Sequence, residues 1–113
     1  MSKIKVVISG ITGKMGLESL KAVHSQNDME VIGGTCKSPQ NSHLTLPDNS
    51  IKIPTTANLE EIISGADILL DFTNSEVAMD SIRIAAGHKI PIVTGSTGFN
   101  PDMIKEIETI SRS

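Results

Sequence analysis

Short apolar runs alternate along the chain with stretches whose apolar residues return every three or four positions. Lys3 to Ser9 is nearly all apolar after Lys5, as expected of a strand covered on both faces. Met15 to Ser25 reads as a helix, with Met15, Leu20 and Val23 apolar and Glu18, Lys21 and Gln26 polar. Glu30 to Cys36 reads as a second strand. Lys37 to Ser50 is polar and carries Pro39 and Pro47, so it reads as a loop, and Ile51 to Ile53 as at most a short strand. Leu59, Ile62 and Ile63 stand at helical spacing in a short helix, with Thr56 or Asn58 as its N-cap. Asp67 to Phe72 is a buried strand. Ser75 to Ala86 is a helix closed by Gly87, which suits a left-handed C-cap. Pro91 to Gly95 is the next strand. Asn100-Pro101-Asp102 then starts a last helix as cap and first-turn proline, with Met103, Ile104, Ile107 and Ile110 on one face.

Strands and helices that alternate with short connections predict a parallel sheet with helices on both faces, a three-layer αβα arrangement. Ligands of such sheets bind beyond the carboxyl ends of the strands, near the point where strand order reverses. The loops 10–15, 36–38, 72–75 and 95–99 each follow a strand and are expected to share one edge of the sheet.

Composition narrows the class of ligand. The 113 residues make about one small domain, residues 1–113, with one modest core. Two Phe and no Trp or Tyr leave few anchors for stacking bases. A net charge of −3, with Lys and Arg spread singly, argues against nucleic acid and anionic membranes as partners. A single cysteine, Cys36, rules out an internal disulfide and fits a reducing compartment. The apolar run at the start is too short for a signal peptide and is followed by glycine, and no stretch approaches membrane-spanning length. A cytoplasmic location is expected.

Gly10-Ile11-Thr12-Gly13-Lys14-Met15-Gly16 follows the first strand and opens the first helix. Gly10 allows a tight exit from the strand. Gly13 lets the backbone approach a pyrophosphate, so that helix N-terminal N–H groups meet its oxygens. Gly16 lets the helix pack against the sheet. The G-x-x-G-x-x-G spacing is a variant of the dinucleotide fingerprint, and its strand–loop–helix context points to a Rossmann-type, doubly wound α/β fold. The competing reading is a glycine-rich turn with no ligand. No Gly-Lys-Ser/Thr follows at the spacing an ATPase loop needs.

The end of the second strand bears on which dinucleotide is bound. An acidic residue there would hydrogen-bond the ribose hydroxyls and favour NAD(H). Twenty residues after Gly16 stands Cys36, followed by Lys37. No carboxylate repels a 2′-phosphate and a cation is at hand to pair with it. NADP(H) is therefore expected, with NAD(H) also accepted. The competing reading is that Lys37 is merely a solvated loop lysine.

Asp71-Phe72-Thr73 and Gly95-Ser96-Thr97-Gly98-Phe99, taken with the glycine loop, resemble the dihydrodipicolinate reductase (4-hydroxy-tetrahydrodipicolinate reductase) family of lysine and diaminopimelate biosynthesis. The family's loop reads G-x-x-G-R/K-M-G, matched by Lys14-Met15-Gly16. Its D-F-S/T motif matches Asp71 to Thr73. Its G-T-T-G-F/L motif matches Gly95 to Phe99, with Ser96 in place of the first Thr. The resemblance implies that Gly10, Ile11, Thr12, Gly13, Lys14 and Met15 hold the pyrophosphate and Lys37 the 2′-phosphate. It places Phe72 and Thr73 beside the nicotinamide ribose. Gly95, Ser96 and Thr97 would meet the carboxamide and approach the substrate. Cys36 departs from the family's frequent acidic residue. Asp71 could instead cap backbone N–H groups at the strand end, Phe72 could be core, and Ser96 and Thr97 could be turn residues.

The family's chemistry lies in a second domain, where a His-His-x-x-Lys segment supplies the proton donor and a Gly-Thr segment grips the substrate carboxylates. Neither occurs here. His24, His43 and His88 fall on a helix, in a polar loop and in a turn, without metal or acid–base spacing, and each reads as a surface residue. The chain stops after a helix without a returning strand, so it reads as a truncated domain that binds cofactor, has no catalytic residue and is inactive alone. The full-length reductase is expected to be a homotetramer whose dicarboxylate substrate needs the absent domain. The alternatives are the front of another NAD(P)-dependent dehydrogenase, such as an aspartate or homoserine dehydrogenase relative, or a non-catalytic nucleotide- or CoA-sensing module.

Overall fold

The computed structural model describes residues 3–36, 43–45 and 52–112. Strand β1 (Ile4–Ser9) runs into helix α1 (Lys14–His24) and strand β2 (Met29–Thr35). Short β3 (His43–Thr45) and β4 (Lys52–Thr56) follow, then two 3-10 turns at Leu59–Glu61 and Ile63–Gly65. Strand β5 (Ile68–Asp71), helix α2 (Ser75–Gly87), strand β6 (Ile92–Thr94) and helix α3 (Pro101–Ser111) complete the chain.

The sheet order is β3-β4-β2-β1-β5-β6. Five strands are parallel and β3 joins the edge antiparallel to β4. Strand order reverses at β1: the chain runs outward first through β2 and β4, then returns to β5 and β6. That is the doubly wound plan expected, and it opens a crevice at the carboxyl ends of β1, β2 and β5.

Side chains alternate across the central strand. Val6 and Ile8 face Leu20 and Val23 of α1, with Ile11, Val31 and Ile53 closing that layer. Val7 faces the opposite layer, with Leu59, Ile63, Leu69 and Ala85. Burial on both faces explains why β1 reads as a continuous apolar run. Between Val6 and Val7 the pairing with β2 skips Ile32, a local irregularity that leaves Ile32 packed on the Val7 side.

Several expectations are corrected. β4 extends to Thr56, beyond the Ile51–Ile53 expected, although Pro54 lies within it. Pro54 is tolerated because β4 meets only the last two residues of β2 in parallel and β3 on its other side. His43 belongs to β3, within a stretch that reads as loop. The Leu59–Ile63 segment forms 3-10 turns capped by Asn58, whose Oδ1 accepts from Glu60 N at 3.1 Å; Thr56 instead ends β4.

Gly87 is no left-handed cap: it stays inside α2, and Lys89 takes the left-handed conformation at φ 57. The last helix is less well covered than its pattern suggests. None of its residues is buried, and Ile104 is 46% exposed. α3 lies beside α2, tied by Arg83, whose Nε and Nη2 donate to Glu106 at 2.6 and 2.9 Å.

Candidate functional site

The glycine loop is stapled to β2. The N–H groups of Gly10 and Ile11 both donate to the Thr35 carbonyl, at 2.9 and 3.0 Å. Gly10 sits at φ 80, and a Cβ there would lie 2.6 Å from the Phe72 carbonyl oxygen, so backbone angle and space both demand glycine. A Cβ on Gly16 would collide with the Gly10 carbonyl and the Ile11 backbone. Gly16 therefore packs the helix onto its own loop, where packing onto the sheet was expected.

Gly13 differs from both. It has an ordinary extended backbone (φ −75, ψ 169), and a Cβ would have only the Gly10 carbonyl oxygen near it, at 3.5 Å. No internal contact excludes a side chain here. Gly13 instead lines, with Gly10 and Thr12, the β1 side of a cavity of about 540 Å³. Thr35, Cys36 and Ala57 line it from the ends of β2 and β4, and Phe72, Thr73, Asn74 and Val77 from β5 and α2. The volume is typical of small-molecule sites.

The opening of α1 suits an anion. Its N-cap is Gly13, without a side-chain cap, and its first turn holds no acidic residue. By contrast α2 and α3 are capped by Asn74 and Asn100, at 3.0 and 2.9 Å to Val77 N and Met103 N, and carry Glu76 and Asp102 in their first turns. Unsatisfied N–H groups and the positive end of the helix dipole both favour negative charge beside Gly13. A pyrophosphate fits this cradle.

A second cluster joins the ends of β5 and β6. Asp71 is fully buried, and its carboxylate takes three hydroxyl donors. Thr73 Oγ1 donates to Oδ1 at 2.7 Å, while Thr94 Oγ1 and Ser96 Oγ donate to Oδ2 at 2.6 and 2.7 Å. Thr73 N donates in turn to Ser96 Oγ at 3.1 Å. Asp71 thus gathers hydroxyls, where backbone N–H capping was one of its expected roles. Phe72 is half-buried against the α1 core layer and also lines the cavity, so its core and site readings both hold. A Cβ on Gly95 would come within 3.0 Å of its ring.

Of the residues expected at the site, Gly10, Thr12, Gly13, Phe72 and Thr73 meet on one cavity, and Ser96 joins it through Thr73. Ile11 does not: its side chain is fully buried, and its part is to anchor the loop. Lys14 and Met15 are exposed at the start of α1, Met15 at 57%, and Gly95 and Thr97 are exposed beyond β6. Lys37 lies outside the described residues. Sequence reasoning missed Thr35, Ala57, Asn74 and Val77. Ala57 was legible only once β4 was known to end at Thr56. Asn74 carries a cap signal, three residues before an apolar position, that marks a helix start but not a cavity wall.

A doubly wound sheet, a reversal of strand order at β1 and an uncapped glycine-rich helix opening facing a strand-end cavity define a dinucleotide-binding domain of the Rossmann type. The model of the dihydrodipicolinate reductase N-terminus matches residues 4–113, and the chain belongs to that family. It is 41% identical to the 4-hydroxy-tetrahydrodipicolinate reductase of Dehalococcoides mccartyi, over 100% of this chain and 44% of that protein. The chain thus spans less than half the length of that relative.

Among solved structures, a dipicolinate-bound dihydrodipicolinate reductase from Paenisporosarcina sp. TG-14 matches with a TM-score of 0.78 at 23% identity, over 96% of this chain and 43% of that one. A homoserine dehydrogenase from S. aureus matches with a TM-score of 0.70 at 17% identity, over 99% of this chain and 31% of that one. The fold is shared with both structures, and the family match separates them. Among the described residues no helix is long and apolar enough to cross a membrane.

Proposed function

We propose that the chain binds a reduced nicotinamide dinucleotide, NADP(H) ahead of NAD(H), as the cofactor domain of a 4-hydroxy-tetrahydrodipicolinate reductase. The observation that carries this reading is Gly13: its missing side chain serves no internal packing, and the residue lines a cavity at an uncapped helix start. The N–H groups of Lys14 and Met15 would receive the pyrophosphate, that of Gly13 being held by the Gly10 carbonyl at 3.1 Å. Thr73 and the face of Phe72 would border the nicotinamide ribose, and the Gly95–Thr97 loop the carboxamide. Lys37 beside Cys36 would pair with a 2′-phosphate, since no carboxylate occupies the strand end to repel it.

The bound dinucleotide supplies hydride to a ring carbon of a cyclic, imine-like dicarboxylate. This chain's own residues contribute position and polarity: helix N–H groups fix the phosphates, and the joined ends of β5 and β6 hold one wall of the cleft. The proton donor and the carboxylate-gripping groups belong, on this reading, to the part of the reductase outside the 44% that the chain covers. The whole enzyme would be a cytoplasmic homotetramer, and the chain alone would bind without turnover.

Calorimetric titration of the chain with NADPH, NADH and coenzyme A tests the reading. Saturable binding of both dinucleotides, tighter for NADPH, with no response to coenzyme A supports it. Binding of coenzyme A alone would replace it with a sensing module.

A further inference from the structure

The hydroxyl cluster at the ends of β5 and β6 has a fixed polarity. A hydroxyl owns one hydrogen, and those of Thr73, Thr94 and Ser96 have Asp71 as their nearest acceptor, at 2.7, 2.6 and 2.7 Å, with the Asn74 carbonyl a longer second acceptor for Thr73 at 3.3 Å. What remains on each oxygen is lone pairs. Two of these oxygens already accept from the backbone: Thr94 Oγ1 from Ser96 N at 3.0 Å, and Ser96 Oγ from Thr73 N at 3.1 Å. Thr73 Oγ1 lies in a residue lining the cavity, and no N–H donor to it stands among the described bonds. Asp71 itself is at 0% exposure and has no cationic partner among the described residues. Its three hydroxyl donors are what satisfy it there.

We propose that Asp71 is a positioning residue that holds the Thr73, Thr94 and Ser96 hydroxyls as acceptors only, so that the Thr73 oxygen on the cleft takes a hydrogen-bond donor and disfavours phosphate. The inference rests on the dinucleotide reading above and divides the cleft by polarity. The opening of α1 offers backbone N–H donors without a side-chain cap, which suit pyrophosphate oxygens. The Thr73 oxygen beside Asp71 offers lone pairs, which suit a ribose hydroxyl or a carboxamide NH2. One dinucleotide orientation satisfies both ends, and its reverse opposes phosphate to lone pairs. Through Thr94 and Ser96 the same carboxylate ties the loop after β6 to that after β5, although Thr94 does not itself line the cavity.

The test compares NADPH with adenosine 2′,5′-bisphosphate, a fragment without the nicotinamide half, by calorimetry on the unaltered chain, Asp71→Asn and Thr94→Val. In Asp71→Asn the amide must donate to at least one of the three oxygens, which releases that hydroxyl's hydrogen. NADPH affinity is expected to fall about tenfold in Asp71→Asn and several-fold in Thr94→Val, with the fragment held to within about twofold in both. If Asp71→Asn fails to fold, Thr94→Val, which removes one donor and keeps the side-chain shape, carries the comparison. Equal weakening of both ligands in a folded variant, or no weakening of NADPH, overturns the inference. If the unaltered chain binds no NADPH, the dinucleotide reading fails and this inference with it; binding that Asp71→Asn and Thr94→Val leave intact defeats the inference alone.

Discussion

Ile11 fills the space that a side chain on Gly34 would need. A Cβ at Gly34 would lie 2.5 Å from Ile11 Cδ1 and 2.7 Å from its Cβ and Cγ2. A glycine near the carboxyl end of β2 thus lets a residue of the glycine loop enter the core beneath it. Gly34→Ala should destabilise the fold by about 1–3 kcal/mol, the usual cost of overpacking a close-packed core. Because Ile11 is an anchor of the loop, NADPH affinity should fall with stability. Urea titration of the variant checks the first effect and calorimetry the second. An unchanged urea midpoint would mean that Ile11 is not wedged as described.

Gly13 and Gly16 should respond oppositely to the same substitution. Gly13→Ala adds a methyl group where no protein atom comes closer than 3.5 Å, at a backbone conformation alanine adopts freely. Stability should stay within about 0.5 kcal/mol while NADPH binding drops tenfold or more, to about 1.4 kcal/mol or beyond. Gly16→Ala drives the methyl into the Gly10 carbonyl and should lower the melting temperature whether or not cofactor is present. Thermal melts of both variants, with and without NADPH, separate a glycine kept for ligand from one kept for packing.

The bond between Arg83 and Glu106 gives the α2–α3 contact a pH dependence. Its hydrogen bonds, ahead of simple charge attraction, hold the Glu106 carboxyl below the usual carboxylate range, against a smaller desolvation effect. A carboxyl depressed on folding stabilises the native state above its unfolded pKa, about 4.3, and loses that contribution as pH falls through its folded value. Glu106→Gln should therefore melt slightly below the unaltered chain at neutral pH. The gap should close on acidification below about pH 4 and shrink in high salt, because both side chains are largely exposed. A gap that widens in acid would contradict the assignment.

On the proposed reading, the choice of dinucleotide turns on Lys37. Lys37→Ala should weaken NADPH roughly tenfold, since a hydrogen bond to a charged group contributes about 1.5–3 kcal/mol, and leave NADH within about twofold. Equal affinities for NADPH before and after the substitution would return Lys37 to the role of a solvated loop lysine.

The central sheet was legible in the sequence because β1, β2 and β5 are covered on both faces and so carry short apolar runs, Val6–Ile8, Val31–Ile32 and Ile68–Leu70. β3 was not, because an edge strand with one neighbour needs no such run, and β4 was legible only at its start, because Pro54 within it argues locally against a strand. Gly87 was misread for a related reason. Composition marks a residue able to adopt a left-handed turn, yet tertiary packing let the helix continue through it and placed that turn at Lys89. At the site, Gly10 to Gly16 declared themselves through spacing within one loop. The Asp71 cluster joins residues 23 and 25 positions apart across two strands, a relation that spacing cannot express. Ile11 lay in the right loop but faces the wrong way, because alternation fails where a strand becomes a turn.

The most direct measurement is amide chemical-shift mapping of the chain during titration with NADPH. The account predicts that the largest shifts fall on Thr12, Gly13, Lys14 and Met15, with a second group at Phe72, Thr73 and Ser96. Saturable binding that perturbs another face of the sheet and leaves the Gly13 and Lys14 amides unmoved would contradict it.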